Sequence, residues 1–98
     1  MTSDLWPFED PKNVAVFTSR SIAERGNPIL LVVHDEDDGS WQFLDGGEFR
    51  MEDAMIVALS EIVDIDESIR QLADLPEGWG ASRTIGSEPW NRFRIGAS

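Results

Sequence analysis

Apolar residues fall in short runs along this chain, separated by polar clusters and by Gly or Pro. Residues 14–18 (VAVFT) are apolar and rich in β-formers, which predicts a first strand. Ser21 stands three residues before Glu24, the spacing of a capping box. Gly26 and Pro28 stop whatever follows, so a helix of one or two turns is expected at 22–25. Residues 29–33 (ILLVV) form an unbroken apolar run, the mark of a central strand buried on both faces. Residues 41–44 alternate, with Trp41 and Phe43 on one side and Gln42 and Leu44 on the other. The polar stretch 34–40 lies between these two runs and carries the Asp38-Gly39 turn signal, so residues 29–45 read as a hairpin.

Further on the pattern divides. Asp45-Gly46-Gly47 predicts a second turn, leading into a short strand at 48–50. Residues 51–75 fit one long helix with Met51, Met55, Ala58, Leu59, Ile62, Ile65, Ile69 and Leu72 on a single stripe. They also fit a buried strand followed by helical turns. Ile56, Val57 and Val63 would be stranded off the stripe of the long helix, and Asp64 and Asp66 offer new caps before Glu67. These features favour a strand at 55–59, a helical turn near 60–63 and a helix at about 67–74. Pro76 ends that helix, residues 79–85 (WGASRTI) predict a last strand on an edge, and 87–95 is expected to close one side of the sheet. The fold expected is α+β: a mainly antiparallel sheet of four to six short strands with one or two short helices. It comprises an irregular arm at 1–13, one domain at 14–95 and a frayed end at 96–98.

Composition sharpens this. A chain of 98 residues supports one domain with a modest core. Its net charge is −11, from 8 Lys and Arg against 19 Asp and Glu. The surplus is local: residues 35–67 hold twelve acids with Arg50 as the only base, while charges elsewhere cancel. Nucleic acid and anionic membrane both require a basic footprint, so neither is expected as a partner. No apolar run of about 18 residues marks a membrane span. The first residues lack a basic-then-apolar leader, and there is no cysteine for a disulfide framework or thiolate site. A cytoplasmic protein is expected.

His34, beside Asp35 and Glu36, has the chemistry of a general base or metal ligand, or is a strand-end histidine at the surface. No second ligand or nucleophile stands at a recognisable spacing. The run Asp35, Glu36, Asp37, Asp38 invites a calcium reading, yet a loop counted from Asp35 puts Gly39 fifth and Ser40 sixth, where an EF-hand needs a ligand and then Gly. A solvated acidic loop fits better, with a weak divalent-cation site as the alternative. Asp45-Gly46-Gly47 matches neither the P-loop nor the dinucleotide fingerprint, and acids on both sides would repel phosphate. Trp79 and Trp90 with Arg83, Arg92 and Arg94 make either a recognition surface or core Trp with Arg paired to the acids of 35–67. Neither Ser60 nor any other hydroxyl has a base beside it. No catalytic residue, metal or cofactor is expected.

WQFLDGG at 41–47, DAMIVALSEIVDID at 53–66 and LADLPEGWGASR at 72–83 make the chain resemble a bacterial family of small uncharacterised proteins related to predicted immunity proteins of polymorphic toxin systems. The resemblance spans residues 16–94. It implies a small α+β domain without a cofactor and carries over no catalytic residue. The leading expectation is a non-catalytic protein-binding domain, an immunity-like inhibitor of a basic, toxin-like partner. Asp35, Glu36, Asp37, Asp38, Asp45, Glu48, Trp79 and Arg83 are its expected contact residues. The alternatives are a small-ligand or divalent-metal domain or enzyme around His34, and a homodimer paired through the strand edge 79–85. Composition leaves the oligomeric state open.

Overall fold

The computed structural model describes residues 6–47 and 50–95. Its strands are β1 (Ala15–Ser19), β2 (Leu31–His34), β3 (Trp41–Leu44), β4 (Ala54–Ala58), β5 (Trp79–Ser82) and β6 (Asn91–Arg94). They form one six-stranded sheet in the order β4-β1-β3-β2-β5-β6. Among the described residues, only the β1–β3 pairing is parallel. Two short α-helices, α1 (Arg20–Ala23) and α2 (Leu59–Ile65), join 3-10 segments at Met51–Asp53 and Glu67–Leu72. The α+β class expected from the sequence is therefore the architecture observed.

The pleat sorts each strand into two faces. Val16, Val32, Phe43 and Ala81 point to one side, where Leu59, Ile62, Val63, Ile69, Leu72 and Leu75 cover them in a single core cluster. Phe8, from the N-terminal segment, is buried in the same cluster, and Trp6 packs against it. The expected irregular arm is thus pinned to the core over its described part. Thr18, fully buried, donates its hydroxyl hydrogen to the Phe43 carbonyl at 2.8 Å and ties β1 to β3, where a single register pair is made. On the opposite side lie Phe17, Ile56, Leu44, Leu31, Val33 and Phe93, with no element over them among the described residues.

Several expectations need correction. Residues 79–85 are not an edge: β5 pairs with β2 on one side and β6 on the other, so the strand edge proposed for a homodimer is already occupied. β4 and β6 are the edges. β2 begins at Leu31 and is covered on one face only, because Leu31 and Val33 remain half-exposed. The first helix starts two residues early, at Arg20, and Ser21 makes no cap. Its hydroxyl instead donates to Asp45 at 2.7 Å, 24 residues away. Helical structure at 60–63 extends to a seven-residue helix, while the expected helix at 67–74 is a 3-10 segment. There Asp66 caps the Ser68 N–H at 3.0 Å. Of the strand expected at 48–50, Glu48 and Phe49 lie outside the described residues, and Arg50 leads directly into the 3-10 turn.

Candidate functional site

The β2–β3 hairpin closes with the Asp35 N–H on the Ser40 carbonyl at 2.8 Å and the Gly39 N–H on the Asp35 carbonyl at 3.1 Å. Gly39 sits at φ +71°, a left-handed conformation that side chains with a Cβ resist. Two of the tip carboxylates serve the turn itself. Asp35 accepts from the Asp37 N–H at 2.8 Å, and Asp38 accepts from the Ser40 N–H at 3.0 Å. Bonds from the Ser40 N–H and hydroxyl hold the Asp38 carboxyl below its ordinary value.

Other segments add carboxylates to this end of the sheet. Glu77 lies against Gly39 and Glu36 against Gly78. A cleft of about 460 Å³ beside the hairpin is lined by Glu9, Asp10, Asp74 and Glu77 around Trp41 and His34. Eight acids thus gather from three stretches of chain, and among the described residues only Asp74 has an ion pair, to Arg92 at 2.7 Å. That contact, first through its hydrogen bond and then through its charge, holds the Asp74 carboxyl below the usual range.

His34 is built into this end as a strut. Its ring stacks on Trp41 at 3.8 Å between centroids, and its Nδ1–H donates to the Leu75 carbonyl at 2.8 Å. A carbonyl only accepts, which fixes the hydrogen on Nδ1. Trp41 in turn donates its indole N–H to Asp10 at 2.8 Å. Among the described residues, no group of three His, Asp or Glu side chains converges as a metal would require.

The remaining expected contact residues go elsewhere. Trp79 opens β5, half-buried, paired across to His34 and Arg94. Asp45 is at the opposite end of β3, taking the Ser21 hydroxyl at 2.7 Å and the Gly47 N–H at 3.0 Å, which hold its carboxyl below the ordinary range. Glu48 lies outside the described residues. Arg83 points inward with its side chain 1% exposed. It donates Nε to the Ile29 carbonyl at 3.0 Å, one terminal nitrogen to Ser68 at 3.1 Å, the other to Asp66, and stacks under Trp90 at 3.9 Å. That is the pairing with an acid of 35–67 that the composition allowed, and it makes Arg83 a clamp between the 3-10 segment and β5 rather than a contact residue. The acidic window is also divided: its carboxylates occupy both ends of the sheet and the helical layer.

Sequence reasoning missed Glu9, Asp10, Asp74 and Glu77 as members of this end. They share no local motif, and only the sheet order brings them together. No protein-family model, curated protein or solved structure gives a significant match to this chain.

Proposed function

We propose that this chain is a non-catalytic protein-binding domain whose acidic sheet end, built on the 35–40 tip, docks a cationic surface of a partner protein. The observation that carries this reading is the gathering of eight carboxylates at one end of the sheet, seven of them without an ion pair among the described residues. Such a one-signed patch steers a positively charged surface and raises its rate of encounter. The resemblance to immunity-type proteins narrows the partner to a basic, toxin-like protein. His34 as base or metal ligand is less well supported, since its ring is stacked on Trp41 and, among the described residues, no group of three His, Asp or Glu side chains converges on a metal position.

The test replaces Asp35, Glu36, Asp37 and Asp38 by Asn or Gln and compares it with a control that neutralises Glu52, Glu61, Asp64 and Glu67. Both variants lose four charges, so general charge effects match. The tip variant is expected to lose bound basic protein in a pull-down while the control keeps it. Identical capture by both variants would sink the acidic-docking reading.

A further inference from the structure

We infer that the open face of the sheet is an interface between two copies of this chain. An antiparallel sheet with one wet face normally alternates apolar and polar residues, so that the wet side is polar. Here the strand positions of the open face carry no charge at all, although 28% of the chain is charged. Its surface includes Phe17 at 43% exposure, Ile56 at 64% and Phe93 at 37%. A depression lined by Phe17, Leu44, Met51 and Ala54 lies at one flank of this face, and Met51 beside it is 82% exposed. The packing of Phe93 on Gly80 shows how flat the face is kept: a Cβ at Gly80 would stand 2.7 Å from Phe93 Cζ.

Size and charge favour a second copy as the occupant. Six strands about 4.8 Å apart and about 15 Å long present about 450 Å² in projection. With side-chain relief, two such faces reach the ~1,000 Å² that a specific interface needs. In a chain of net charge −11, an uncharged face is where two copies meet without direct repulsion. The acids stand at both strand ends, Asp35 to Asp37 beside Val33, and Asp45 and Glu88 beside Leu31. Aligned packing would stack acid on acid. Crossed packing, with strands near perpendicular, instead sets the acidic strand ends of one copy away from those of the other.

Sedimentation of the full chain across concentration and salt tests this. The wild type is expected to reach twice the 11.0 kDa monomer mass, and to do so at lower concentration as salt rises and screens the acids. A cationic partner at the acidic end would instead be weakened by salt. Ile56→Asp with Phe17→Asp is expected to weaken self-association by more than about tenfold. Ile56→Ser, milder, supplies the same readout if that pair fails to fold. Because the chain has no cysteine, Gln42→Cys near the centre of the face gives a clean cross-linking probe. It should form a disulfide dimer under mild oxidation, and Glu61→Cys on the helical side should not. A wild type that stays monomeric at every salt, association unchanged by the open-face variants, or equal cross-linking from both cysteines would overturn the inference.

Discussion

Val16, Val32, Phe43 and Ala81 are sealed beneath α2 and the 67–72 segment, whereas Phe17, Leu44, Ile56 and Phe93 on the reverse of the same sheet meet solvent. Both sets are apolar and both sit at ordinary strand positions. They differ in what the rest of the chain brings to them. The described helical segments after β4 cross the same side of the sheet, because Leu59, Ile62 and Val63 leave β4 facing the core and Ile69 and Leu72 continue that line. Among the described residues the helical segments make one layer only. The contrast shows that Phe17, Ile56 and Phe93 share one face left over by the economics of a two-layer fold, whereas Ile65 and Ile85 are exposed singly elsewhere.

The contrast breaks most sharply at single large apolar residues. Phe43→Ala should cost the fold about 3–5 kcal/mol by lost burial and cavity formation. Ile56→Ala on the open face should cost less than about 1 kcal/mol in the monomer, since little area is removed from water there. Urea denaturation at low protein concentration compares the two, and equal losses would mean the open face is already covered.

A smaller effect is expected where the covered face is clamped. Arg83→Met leaves Asp66 facing Ser68 alone and frees the Ile29 carbonyl. Breaking a buried pair from one side costs about 3–5 kcal/mol, and Asp66, being partly exposed, places this case near the lower bound. Thermal melting reads the loss, and Lys at 83 should restore little, because only the guanidinium reaches three acceptors.

The smallest effect belongs to the far end of β3. The Asp45 carboxyl is held below its ordinary 3.8, first by the Ser21 hydroxyl and then by the Gly47 N–H. A depressed folded value stabilises the protein above the unfolded value and ceases to do so as pH falls through the folded one. Asp45→Asn should cost less than about 1 kcal/mol at neutral pH, because water screens this partly exposed carboxylate. The gap to wild type should close below 3.8, which urea titrations across pH will show.

Where the determinants are local, they were legible. The alternation at 41–44 places Trp41 and Phe43 inward as observed. Ile56 lies off any helical stripe, which identified β4 as a strand to within one residue. The first helix was misplaced because Ser21, a good cap in isolation, is claimed by Asp45 across the hairpin. Arg83 read as a surface recognition residue because nothing near it in sequence announces Asp66, Ser68 or Ile29 as partners.

The sequence by itself determined the strand-forming runs, the turn glycines and the excess of acid, because each depends on neighbours a few residues apart. Tertiary structure alone decided the strand order. With it came the interior position of β5, the assembly of Glu9, Asp10, Asp74 and Glu77 beside the hairpin, and the face left uncovered. Those outcomes depend on which distant segments meet, and that is settled by packing over the whole chain.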